Sequence, residues 1–182
     1  NMGECFAPLR LGDRLPVPPV NPQVDSVAGR PFSARPSRPK VLGMPLDLVP
    51  TLSDLIAIPS VNPMGRDVEG PEYLEYRVTD YLEKLFQNQG FRYKRYLVSP
   101  KRDNILIRVD GDLPLPEQGG PLVLMDAHQD TVPVEGMTID PWTPTVRDGR
   151  IYGRGSCDIK GGMTAMLGAM VRLREEQPRN RP

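Results

Sequence analysis

The single histidine of this 182-residue chain, His128, is followed two positions on by Asp130 and thirty positions on (158 − 128 = 30) by Asp158. Imidazole and carboxylate are the donor types that zinc accepts from proteins, so the trio raises the question of a metal site. In an extended segment residues i and i+2 share a face, which lets the Asp130 carboxylate approach the ring of His128. A carboxylate in that place fixes the tautomer of a ligating histidine and raises its basicity. The plainer alternative makes His128 structural and Asp130 a turn residue ahead of Thr131-Val132-Pro133. Asp158 lies within GRGSCDIKGG, between a glycine-containing loop and the start of a helical pattern. As a helix N-cap it would contribute about 1 kcal/mol. A cap accounts for the aspartate but not for Gly153, Gly155, Gly161 and Gly162 on its two sides, which permit a sharp turn and close backbone approach.

The elements that must position these groups follow from periodicity. Leu48, Leu52, Leu55 and Ile56 recur at helical spacing, and Ile58-Pro59-Ser60 ends the pattern, predicting a helix over 47–58. Residues 62–71 are turn-rich. From 72 to 89, Leu74, Val78, Tyr81, Leu82, Leu85 and Phe86 form one stripe before Gly90, predicting a second helix. Alternation and β-branched content predict strands at 91–98 and 104–109. The nearly continuous apolar run PLVLMDA at 121–127 predicts a buried strand, with His128 at its carboxyl end, where open α/β sheets place their ligands. Asp148-Gly149 predicts a hairpin turn within 143–152, and KGGMTAMLGAMVRLR at 160–174 a helix buried along much of its surface. The expected fold class is α/β, a mixed sheet flanked by helices.

Composition bounds the remaining choices. Lys plus Arg equals Asp plus Glu at 23 each, so no net field draws the chain to nucleic acid or to anionic lipid. No run approaches the length of a membrane span, and Cys5 and Cys157 lack CxxC spacing, which together suggest a cytoplasmic, reducing setting. The 22 prolines are concentrated early, at 8, 16, 18, 19, 22, 31, 36 and 39. Residues 1–43 therefore read as a disordered leader, whether natural or the product of an over-long reading frame, and 44–182 as the folded domain.

Taken together, HQDTVP at 128–133 and DPWTPTVRDGRIYGRGSCDIKGG at 140–162 resemble the acetylornithine deacetylase, succinyl-diaminopimelate desuccinylase, aminoacylase and carboxypeptidase family of dinuclear zinc hydrolases. The likeness extends more loosely from about Leu46 to Arg174. It implies a zinc-exopeptidase-like catalytic domain, of which this chain is an N-terminal, truncated part. It implies further that His128 and Asp158 are metal ligands, with Asp158 bridging two Zn2+ (or Co2+) ions. By the same likeness Asp130 is expected to be the catalytic-site residue that orients His128, and a cis peptide to follow Asp158. The implied reaction is hydrolysis of the amide bond of an N-acyl amino acid. A dipeptidase or carboxypeptidase activity is the alternative within the family, and a catalytically inactive fragment the alternative outside it. The partner is a small-molecule N-acyl amino acid or peptide, without nucleic acid or membrane, and a homodimer would form through a domain outside this chain. The family's paired glutamates lie on a strand after the last helix. Glu175-Glu176 sits at the end of that helix and reads as a solvated terminus, so the fragment alone is expected to be inactive. A phosphoesterase built on an HxD-type dinuclear site would need more histidines than His128.

Overall fold

The computed structural model describes residues 45–179, so the reading of 1–43 as a leader lies outside the described residues. Helix α1 (Leu48–Ala57) begins where the Asp47 side chain accepts a hydrogen bond from the Val49 amide, and ends in extended backbone at Ile58 ahead of Pro59. It buries Thr51, Leu55 and Ile56. Helix α2 (Tyr76–Asn88) buries Val78, Leu82 and Phe86 of the expected stripe together with Thr79, while Tyr81 and Leu85 are half-buried. It starts four residues later than periodicity suggests. The amide of Val61 donates to Glu72 O (2.8 Å) and that of Leu74 to Val61 O (3.0 Å), so 72–74 are bridged to Val61, with Leu74 at φ 66°, before the helix begins.

Strands β1 (Arg92–Ser99) and β2 (Arg102–Arg108) form an antiparallel hairpin against α2. Arg95 of β1 ties the two together: its guanidinium reaches Asp80 (2.7 Å) and Glu83 (2.9 Å) of α2 and Asp103 (2.6 Å) of β2. Strands β3 (Thr145–Arg147) and β4 (Arg150–Tyr152) make the expected second hairpin, with both turn residues at positive φ, Asp148 at 53° and Gly149 at 71°. Helix α3 (Lys160–Glu176) packs on α1 and buries one face, Met163, Thr164, Leu167, Gly168 and Val171 among it, rather than most of its surface. Leu55, Val78, Leu82, Phe86, Phe91, Met163, Leu167 and Val171 form the core, with Phe86 and Phe91 edge to face at 6.2 Å.

The expected combination of helices and strands is thus present, but among the described residues every strand pairs in an antiparallel hairpin; parallel pairing is confined to single bridges from Val61 to Tyr73 and to Thr131. The buried strand expected at 121–127 is not formed. The segment pairs with no strand among the described residues, and Leu122 (69%), Val123 (67%) and Leu124 (72%) are exposed. An apolar run becomes an interior strand only when neighbours on both edges take up its amides and carbonyls. Here it forms instead one wall of an open groove of about 740 Å³, with β2 and α3 as other walls.

Candidate metal centre

His128 and Asp130 stand on a segment pinned to the loop after α1. The Thr131 amide donates to Ser60 O (2.9 Å) and the Asn62 amide to Thr131 O (2.8 Å), while the Ser60 hydroxyl caps Gln129 O (2.8 Å). Gln129 turns the other way. Its Oε1 accepts from the Thr79 hydroxyl (2.9 Å) and its Nε2 donates to Asp103 O (2.9 Å), anchoring the segment to α2 and β2. Alternation therefore sends Gln129 inward and leaves His128 and Asp130 together on the opposite side.

The imidazole is held between two carboxylates. Its Nδ1 lies 3.0 Å from Asp130 O and 3.1 Å from Asp130 Oδ1, and its Nε2 lies 3.2 Å from Asp158 Oδ1. Residues thirty apart in sequence thus meet. Partial burial alone would lower the pKa of the ring, but the Asp130 carbonyl, the Asp158 hydrogen bond and the charges of both aspartates outweigh it and hold His128 above its ordinary value. Both ring nitrogens thus face acceptors, the Asp130 oxygens at Nδ1 and Asp158 Oδ1 at Nε2, an arrangement that favours the protonated ring. Asp130 is itself fixed: Asn62 Nδ2 donates to its Oδ2 at 2.7 Å.

The approach of Asp158 depends on the loop before α3. Gly155 lies at φ 82°, and a Cβ there would come within 2.9 Å of Thr131 Cγ2 and 3.1 Å of Lys160 Cδ, so the loop can lie against the 131 segment only without a side chain. A Cβ on Gly161 would collide with the carbonyl oxygen of Ser156. The Asp158–Ile159 peptide bond is cis, as the resemblance implies. Lys160 anchors the whole loop. Its side chain is 1% exposed, and Nζ donates to Leu55 O (2.8 Å) and Ile58 O (2.7 Å), tying the start of α3 to the end of α1. Burial, and secondarily the charge of Arg77, push this ammonium down to about 7.

An imidazole nitrogen and a carboxylate oxygen 3.2 Å apart suit two ligands of one zinc ion, each at roughly 2.0–2.2 Å. The donor chemistry fits that metal as far as it goes. Among the described residues, no group of three or more His, Cys, Asp and Glu side chains is placed to hold a metal ion. Glu175 and Glu176 do not contribute; they end α3, where Arg172 pairs with Glu176 at 2.9 Å, on an exposed surface. Sequence reasoning did not find Ser60, Asn62, Thr79 and Lys160. They are isolated polar residues whose partners lie 50 to 105 positions away, and no local spacing signals such pairs.

Residues 124–182, which contain His128, Asp158 and the glycine loop, match the model of peptidase family M20/M25/M40. Over this segment the chain is similar to that family. The curated relatives agree with it. A probable succinyl-diaminopimelate desuccinylase of Staphylococcus epidermidis is 30% identical over 104 residues, which is 56% of this chain and 24% of that protein. A succinyl-diaminopimelate desuccinylase of Gluconacetobacter diazotrophicus is 43% identical over 60 residues, 32% of this chain and 16% of its own length. The match thus spans about a quarter or less of the length of these relatives. Among solved structures, human carnosine dipeptidase 1 aligns with a TM-score of 0.44 and 24% identity over 72% of this chain and 29% of that one. No described helix is long and apolar enough to cross a membrane.

Proposed function

We propose that this chain supplies part of the metal centre of a zinc-dependent amidohydrolase that cleaves the amide bond of an N-acyl amino acid, in the manner of acetylornithine or succinyl-diaminopimelate deacylases. The observation that carries the reading is the convergence of His128 Nε2 and Asp158 Oδ1 at 3.2 Å inside the segment matched to the M20/M25/M40 family. The two curated desuccinylases favour deacylation over peptide cleavage.

In this reading His128 and Asp158 hold the metal, and Asp130 keeps the imidazole turned toward it. Bound zinc would supply a water of lowered pKa and a polarised substrate carbonyl. The chain's own contribution is orientation. Gln129, locked to Thr79 and Asp103, prevents the segment from rotating, and Lys160 fixes the loop that presents Asp158. Among the described residues no group of three or more His, Cys, Asp and Glu side chains is placed to hold a metal ion, and in this reading a further ligand and a proton-transferring carboxylate complete the centre. The cytoplasmic setting and the N-acyl amino acid or peptide substrate belong to the same proposal.

The test is zinc binding by this chain, followed calorimetrically, together with amine release from N-succinyl-diaminopimelate and N-acetylornithine by the complete gene product. With two ligands the chain should bind zinc weakly, and His128→Ala and Asp158→Ala should each abolish that binding and the hydrolysis. Zinc binding that both variants retain would overturn the assignment of ligands. Hydrolysis of dipeptides in preference to N-acyl amino acids would overturn the substrate class.

A further inference from the structure

We propose that Asn62, from the loop between α1 and α2, is a positioning residue for the imidazole of His128, acting through Asp130. A carboxylate can orient a histidine only if it is itself prevented from rotating about its own side-chain bonds. Asp130 presents Oδ1 to Nδ1 of His128 at 3.1 Å, and its other oxygen, Oδ2, accepts from Asn62 Nδ2 at 2.7 Å. With both oxygens engaged the carboxylate plane is set, and the chain Asn62–Asp130–His128–Asp158 runs unbroken through contacts of 2.7, 3.1 and 3.2 Å.

Asn62 is in turn held at three points. Its Oδ1 accepts from the Met64 amide (2.9 Å), its own amide donates to Thr131 O (2.8 Å), and the preceding Val61 is bridged to Thr131. The amide side chain is therefore oriented from outside the site: an oxygen committed to Met64 leaves the nitrogen for Asp130. Only a side chain that both accepts and donates can satisfy the two contacts at once, which asparagine does and aspartate does not. The effect on His128 is electronic as well as geometric. An anchored carboxylate stabilises a proton on Nδ1 and keeps Nε2 as the nitrogen aimed at the point shared with Asp158.

This proposal rests on the hydrolase reading for its purpose but not for its measurement. His128 is the only histidine in the chain, so its imidazole gives a single, unambiguous set of signals in long-range 1H–15N correlation spectra of tag-free protein. At a pH above the titration of the ring, the 15N shifts report the ratio of Nδ1–H to Nε2–H forms. In an Asp158→Ala background, which removes the competing acceptor at Nε2 and in which all variants are compared, the protein should hold the Nδ1–H form. Asn62→Asp keeps the acceptor for Met64 but loses the donor, and Asn62→Leu keeps the approximate shape but loses both. In each the tautomer ratio should fall about tenfold, the worth of a charge-assisted hydrogen bond. Ser53→Ala, which removes an exposed hydroxyl contact to Val49 O within α1, should leave the ratio alone. An unchanged ratio in the folded Asn62 variants, or an equal fall in Ser53→Ala, would overturn the proposal. Since neither metal nor substrate is present, that outcome leaves the hydrolase reading standing, and an absence of hydrolysis leaves the tautomer result standing.

Discussion

Lys160 makes stability depend on pH in a way that a single substitution should reveal. Its ammonium is buried with two carbonyls as partners, and its pKa stands near 7 in the folded protein against 10.5 in the exposed chain. Between those values the unfolded state binds a proton that the folded state does not. Stability conferred by the neutral amine is therefore fully present above 10.5 and is lost as pH falls toward 7. The slope is about 1.4 kcal/mol per pH unit in the middle of the interval, and between pH 9.5 and 7.5 the cumulative change is about 2.5 kcal/mol. Tyr81, raised to about 12 chiefly by burial and then by Asp54, bends the profile the other way only above about pH 10, outside this window. Lys160→Met retains the apolar stem without the titrating nitrogen. Urea unfolding of both proteins at pH 7.5, 8.5 and 9.5 measures the difference in unfolding free energy, and the advantage of lysine over methionine should shrink by about 2.5 kcal/mol from the highest pH to the lowest. The constant part of that difference contains the two hydrogen bonds, which a neutral amine still donates, so its pH dependence isolates the proton. A difference constant across the three pH values would refute the argument that burial depresses Lys160.

Three further outcomes can be checked. Phe86→Ala, at a core side chain 3% exposed and edge to face with Phe91, should cost about 3–5 kcal/mol in chemical denaturation. Gly155→Ala places a methyl group 2.9 Å from Thr131 Cγ2 at a positive φ, and should lower stability by at least about 1 kcal/mol and weaken zinc binding in a calorimetric titration. Replacing Glu175 and Glu176 together by alanine should leave zinc affinity unchanged, because they end α3 about 24 Å along the helix axis from Lys160.

Much of the local structure was legible in the residues themselves. The stripe from Val78 to Phe86, the Asp148-Gly149 turn and the Ala- and Met-rich run after Lys160 each carry a short-range cause, whether helical periodicity, a turn that needs positive φ, or a helix former repeated at close spacing. The pair His128 and Asp158 could be singled out because His128 is the only histidine and the glycines around Asp158 had no other account. Tertiary structure decided the rest. The start of α2 moved because Val61, eleven or more positions upstream, captures residues 72–74. The apolar run 121–127 could not become an interior strand without edge partners, and hydrophobicity in the sequence says nothing of whether they are supplied. Asn62 and Lys160 acquire their meaning only through partners 68 and 105 residues away. Periodicity records which face of an element is apolar, whereas a hydrogen bond between distant segments depends on where the folded chain returns, and that is fixed by packing.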